Sequence, residues 1–485
     1  MFGDYVYDAS GAPFATQSML LIDHLPHGHE DFGDAFSRRG FTVVRWKDDL
    51  SFRIEWEDRL KGGKRLAVIA LPHDYVPYDL AQLMTRYDVS LDELFPSLDA
   101  GVLHDWGGID LDFLAVAYRR DAVLPMDAAR TRRFLNDRVL SRETAETVCD
   151  RLSSLLVEKA AGAATYRDWT DVAELKARID VTAASYGVEC STNPLTDGAF
   201  RDFMLSRFGS LGGELDDSTP VLVSKAMDYM HAHSNRFAII VMDGMSEFDW
   251  RVLSSSFAGI DYEQSAVYAM VPTITSVSRQ SLLAGKYPRQ LKNPWSQSGE
   301  KPGFYKCVRS WGFNNDRIAY LRGYDAEVPH GCDYAAYIIL DVDERVHGQY
   351  GGRPGMLRDM ELLAQGGKLA ALVRRLMTQG LDVYITADHG NTPCVGHGRV
   401  TGRGVETESR GKRMLVVNDL ADVDTLREKY GLIEFPGTFL DKEYRYYLCP
   451  PGVSFDDPGQ HVMSHGGISI DEVVVPFITI RSERA

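Results

Sequence analysis

The chain reads as an α/β protein built on a largely parallel sheet flanked by helices, and three observations predict it. Continuous apolar runs occur at 236–242, 335–340, 381–386 and 473–480. Helical patterns such as 356–378 alternate with them. Asp243, Asp341 and Asp388 follow three of the runs directly or closely. A strand covered by helices on both faces reads as a nearly unbroken apolar run, which is the pattern seen here. In such sheets ligands gather beyond the carboxyl ends of the strands, so acids at those ends are candidates for chemistry.

Two regions of different character precede this block. Residues 1–105 read as a small α/β domain, with short β-branched apolar runs at 41–45 and 65–71 that end in polar residues or proline. A helical stretch is expected at 78–87. Residues 106–232 read as a helical region: 126–140, 142–160 and 169–184 place apolar residues at three- and four-residue spacing. Asn193-Pro194 and the glycines at 209–213 break later segments. The expected division is therefore 1–105, 106–232 and 233–485.

Composition narrows the class. The 485 residues are 44% hydrophobic and 25% charged, as in a soluble globular protein. No run of about 18 apolar residues occurs, so no membrane span is expected. Residues 1–17 carry acids and lack the basic-then-apolar pattern of a signal peptide. The six cysteines are scattered without a Cys-x-x-Cys pair, which fits a reducing cytoplasm and argues against a disulfide framework or a thiolate zinc site. A net charge of −16 counts against nucleic-acid binding by bulk electrostatics. Residues 276–312 run the other way, with seven lysines and arginines against Glu300 alone. That stretch is either a solvated basic surface or a local field for a phosphorylated substrate.

The chemistry-bearing residues lie at the ends of these elements. Asp243-Gly244 ends the first run, either as a ligand or as a tight turn. Pro272 to Arg279 leads into a helix-like segment closed by Gly285. Thr275 falls at or near that helix N-terminus, where backbone N–H groups stabilise an anion. A threonine hydroxyl is almost wholly protonated at neutral pH, so a nucleophilic role needs a metal to lower its pKa. Thr273 is the alternative nucleophile, and an ordinary N-cap is the alternative role for Thr275. Asp343 and His347, spaced i and i+4, face one way on a helical turn and can hold one ion or hydrogen-bond each other. Asp388 and His389 can both turn inward on a loop leaving a strand. His465 sits in a His-Gly-Gly turn before the last run, with His397 and His461 as competitors for its role.

Together these motifs resemble the alkaline phosphatase superfamily, whose phosphodiesterases carry Pro-Thr-x-Thr. Within it, 272–288 and 465–476 resemble the signature blocks of the PglZ domain. The resemblance covers 236–485 well and the N-terminal part only loosely. It implies an alkaline-phosphatase-like catalytic domain at 233–485. It implies one ion held by Asp243, Thr275, Asp388 and His389, and a second held by Asp343, His347 and His465. Those ligands suit two zinc ions, with manganese the alternative. Thr275 would attack phosphorus, and Arg279 would bind a phosphate oxygen or sit in a salt bridge. The implied function is a metal-dependent phosphodiesterase or phosphatase in a bacterial anti-phage defence system such as BREX. Its substrate would be a phosphate ester, either a nucleotide or a nucleic acid, and its partners other defence proteins. The alternative is a docking subunit with a non-catalytic metal site.

Overall fold

The computed structural model describes residues 1–25, 32–121, 124–400, 404–405 and 412–482. It contains two compact units, Met1–Arg151 and Leu152–Ala485, whereas the sequence reading placed boundaries at 105 and 232. The helix Tyr166–Tyr186 belongs with the second unit. Its Lys176 is fully buried, and Nζ lies 2.8 Å from both Asp180 and Asp471.

The first unit holds a four-stranded parallel sheet of β1 (Ser18–Asp23), β2 (Thr42–Arg45), β3 (Leu66–Ala70) and β4 (Met84–Val89), in the order β2-β3-β1-β4. Leu20, Val44, Leu66, Val68 and Leu80 form part of the core on one side. The helix expected at 78–87 is a correction: only Tyr78–Ala81 is helical, and the chain then enters β4. The competing force is edge pairing, because β4 takes its backbone hydrogen bonds from β1 along its whole length. β1 itself was not read from the sequence. Its Met-Leu-Leu-Ile centre lacks the β-branched enrichment that marks a strand.

The second unit is organised by a six-stranded sheet. It consists of β5 (Phe237–Met242), β6 (Glu263–Tyr268), β7 (Ile318–Arg322), β8 (Tyr334–Ile339), β9 (Asp382–Thr386) and the C-terminal strand Val474–Ile480. Between β9 and that last strand come β10 (Thr392–Gly396), β11 (Met414–Val417), β12 (Ile433–Phe435), β13 (Arg445–Leu448), β14 (Val453–Ser454) and β15 (His461–Ser464), which form two small sheets. The C-terminal strand is β16, and the main sheet runs β6-β16-β9-β5-β8-β7. β9, β5, β8 and β7 are mutually parallel, while β16 is reversed between β6 and β9. The residues of β5, β8 and β9 are all buried. Their full burial explains why these strands read as unbroken apolar runs. Residues 356–378, read as one helical stretch, form two helices, Gly352–Gly366 and Lys368–Thr378, separated by Gly367 at φ 62°.

Candidate metal centre

The ends of the parallel strands β5, β8 and β9 deliver three carboxylates to one place. Asp243 follows β5 and is buried. Gly244 then turns the chain at φ 75°, and a Cβ there would meet Asp343 at 3.3 Å. Glycine serves both the turn and the close approach of the β8 end. Asp388 and His389 follow β9 and are fully buried. Gly390 comes next, where a Cβ would fall 1.9 Å from the Asp471 carbonyl oxygen. Asp343 lies on the helix Asp341–Val346 after β8, and His347 caps that helix. Thr275 opens the helix Thr275–Ala284.

Two ligand groups result. Asp243, Asp388 and His389 each offer a donor atom, and these atoms lie within 4.8 Å of one another. Asp343, His347 and His465 do the same. The Thr275 hydroxyl joins the first group, with Oγ1 3.3 Å from Asp243 Oδ1 and 3.2 Å from His389 Nε2. The groups adjoin, because the His389 and His465 rings stack with centroids 4.2 Å apart. His397 and His461 are exposed and belong to neither group.

The donors are prepared for cations. Asp388 Oδ2, Asp343 Oδ1 and His465 Nε2 are buried without hydrogen-bond partners. Polar atoms buried that way are costly, and a divalent ion held between them removes the cost. His465 Nδ1 lies 3.0 Å from the Thr273 carbonyl, and His389 Nδ1 lies 3.1 Å from that of Gly390. A carbonyl only accepts, so each Nδ1 carries a proton, and each Nε2 faces a carboxylate, Asp243 for His389 and Asp343 for His465. Burial, then the charge of Asp243, pushes the Asp388 carboxyl well above the ordinary range. Burial also works to raise Asp343, but the His347 hydrogen bond and the nearby imidazoles win and hold it well below that range. Burial and the neighbouring His389 push His465 down to about 4, so its imidazole is neutral at physiological pH, the form a metal takes. The donor set of carboxylate oxygens, imidazole nitrogens and one hydroxyl fits two divalent ions.

Arg279 sits behind the first group, only 1% exposed. Its guanidinium pairs with Asp243, lies 3.7 Å from Asp388 Oδ2, and places Nε 3.0 Å from Glu300 Oε2. Of the two roles open to it, the geometry shows a salt bridge, and a buried one. Glu300 is buried in turn and accepts from the Tyr320 hydroxyl. Glu300 was missed as a participant because a lone acid in a basic stretch carries no spacing signal. Ser278 Oγ donates to the Asp388 carbonyl at 2.5 Å and accepts from Met270 N. Thr273 Oγ1 donates to the Gly467 carbonyl at 2.9 Å and accepts from Gly466 N. That hydroxyl is fully buried and holds the His465 turn. Asn391 Nδ2 donates to the Gly244 carbonyl and to Asp249, tying the β5 and β9 loops together.

Residues 353–480 match the family model described as the BREX system PglZ alkaline phosphatase-like domain. The chain carries a PglZ domain. The matched segment contains Asp388, His389 and His465, while Asp243, Thr275, Asp343 and His347 lie ahead of it. No sequence match was found among curated proteins. Among solved structures, human ectonucleotide pyrophosphatase/phosphodiesterase 5 is 11% identical, with a TM-score of 0.38 over 50% of this chain and 87% of that one. The murine form is 11% identical, with a TM-score of 0.37 over 50% and 88%. Phosphonoacetate hydrolase from Sinorhizobium meliloti 1021 is 12% identical, with a TM-score of 0.34 over 51% and 90%. The PglZ domain thus supplies one side of each ligand group, and β5, β8 and the Thr275 helix supply the other. No helix among the described residues is long and apolar enough to cross a membrane.

Proposed function

We propose that this chain is a two-metal phosphoester hydrolase, a phosphodiesterase in preference to a monoesterase, with Thr275 as its nucleophile. The observation that carries the reading is the Thr275 hydroxyl between Asp243 and His389, beside a second ligand group and next to a PglZ domain. Asp243, Thr275, Asp388 and His389 would hold one ion, and Asp343, His347 and His465 the other. Bound ions would lower the hydroxyl pKa and neutralise charge on the phosphoryl oxygens. Zinc suits the imidazole and carboxylate donors best, with manganese the alternative.

This chain's residues do the rest. The N-terminus of the helix Thr275–Ala284 favours negative charge on the Thr275 oxygen. Thr275 gives up its hydroxyl proton to water as Oγ forms a bond to phosphorus, the bond to the leaving alcohol breaks, and that alcohol takes a proton back from water. A second water then cleaves the phosphothreonine: its oxygen stays on the phosphate that leaves, and Thr275 Oγ regains a proton. Arg279 holds Asp243 in place and does not touch substrate. The BREX description of the PglZ family supports a place in bacterial anti-phage defence beside other defence proteins, and the free, scattered cysteines fit the cytoplasm. A nucleotide or nucleic acid is the substrate class.

The test is hydrolysis of a chromogenic phosphodiester and phosphomonoester by wild type and Thr275→Ala, after chelation and return of zinc or manganese. Metal-dependent diester cleavage that disappears in Thr275→Ala is expected. Two bound ions with no turnover under either metal would overturn the enzyme reading in favour of a docking subunit.

A further inference from the structure

The first unit carries a groove of about 440 Å³ far from any of the chemistry above in sequence, lined by Leu124, Pro125, Met126, Phe134 and the arginines 130, 133 and 138. Its frame is fixed. Asp127 caps the helix Ala128–Phe134 by accepting from Arg130 N at 2.8 Å. Thr131 Oγ1 accepts from Asp99 N at 3.0 Å, and Met126 N donates to the Ser97 carbonyl at 2.8 Å. After Phe134 the helix widens into a π turn, Leu135–Val139, which brings Arg138 to the same groove as Arg130 and Arg133. Such turns are rare and re-aim side chains.

The charges in this groove are unspent. Nearby Arg119, Arg120 and Arg142 each pair with an acid, Asp8, Glu143 and Glu146 respectively. Among the described residues, Arg130, Arg133 and Arg138 have no carboxylate within 4.0 Å, and Asp137 is the groove's one acid. In a chain of net charge −16, these three arginines line one groove together. Apart from Asp137, the rest of the lining is apolar, from Leu124, Pro125, Met126 and Phe134, and Leu124 is 73% exposed. Guanidinium forks match phosphate oxygens two at a time, and an apolar wall takes the faces of unstacked bases. From Arg130 to Arg138 the helix advances roughly 12 Å, room for more than one phosphate. An acidic peptide would use the arginines and leave the apolar lining idle.

We propose that this groove binds single-stranded nucleic acid, independently of the metal centre. The test is fluorescence anisotropy of full-length protein with a labelled oligothymidylate of roughly 12 nucleotides, in the presence of chelator so that no turnover intervenes. Arg130→Glu with Arg133→Glu is expected to weaken binding by about tenfold or more. It should also make the salt dependence shallower by about 1.4 in log–log slope, the loss of two phosphate contacts on a single strand. Leu124→Ala, at an exposed position that cannot threaten folding, is expected to weaken binding severalfold. Hydrolysis of a small chromogenic ester should not change in any of these variants. Affinity unchanged in both variants would overturn the proposal. So would equal affinity for a duplex of the same length, which would mark a general electrostatic patch. Equal competition by polyglutamate would also overturn it, because it would assign the groove to an acidic protein.

Discussion

The two ligand groups hold similar donors in unlike surroundings. Asp243, Asp388 and His389 are all buried, backed by Arg279 and Glu300, and joined by the Thr275 hydroxyl. In the second group His347 keeps 43% of its side chain exposed, and Lys412 Nζ lies 3.4 Å from its Nδ1. The first group is a closed seat, where the Arg279 guanidinium offsets part of the charge of Asp243 and Asp388. The second is open on one side, where solvent can approach. The contrast teaches that one set of donor types can be held in two environments, one sealed and one reachable by solvent, according to how deeply the fold buries it.

The strongest attempt to break this contrast is Asp388→Ala. It should abolish the closed seat and reduce diester hydrolysis by at least about 10³-fold, roughly 4 kcal/mol of transition-state stabilisation. Metal content measured by elemental analysis should fall by about one ion. Full metal content in that variant would mean the buried group is not a metal seat at all. Next in size is Arg279→Met, which leaves Asp243 and Glu300 buried without their cation. The metal-free protein should lose on the order of 3 kcal/mol in denaturant unfolding, and added zinc should recover part of that loss. A variant equally stable with and without zinc would contradict a closed seat.

His347→Ala probes the open group. Affinity for the second ion should drop about 100-fold by titration calorimetry, while folding stability changes by no more than about 0.5 kcal/mol. A loss of stability comparable to that of Arg279→Met would erase the distinction between the groups. A probe outside both groups is Glu247, buried on the helix Glu247–Leu253 close after Asp243, where Arg251 offsets only part of the cost of burial. Burial, then the charge of Glu174, raises its carboxyl from 4.5 to about 8. The folded state therefore keeps a proton that the unfolded chain gives up. Stability should fall as pH rises from about 4.5 to about 8, at up to roughly 1.4 kcal/mol per pH unit. Glu247→Gln should flatten that slope in melting curves taken across the window.

Much of the centre was legible in the chain because its parts are local. A fully buried strand must be apolar throughout, so β5, β8 and β9 announced themselves, and the acids at their ends marked the side where ligands collect. The i, i+4 spacing of Asp343 and His347 and the helix opening at Thr275 are likewise short-range facts. The N-terminal sheet was harder to read. β1 has a single β-branched residue, Ile22, and β4 follows a helical turn whose pattern runs on into it. Backbone pairing with distant strands outweighed local preference at both places.

The order of apolar runs, the strand-end acids and the residue types able to hold divalent ions were therefore determined by the sequence alone. Only the tertiary structure decided that Arg279 faces carboxylates and not solvent, and that Thr273 is a buried tie while Thr275 stands between ligands. It also decided that one group is closed and the other open, and that Arg138, on a π turn, shares one groove with Arg130 and Arg133. The physical reason is that periodicity is set within a few residues by backbone geometry. Burial and charge pairing are set by segments that strand order brings together from far apart along the chain.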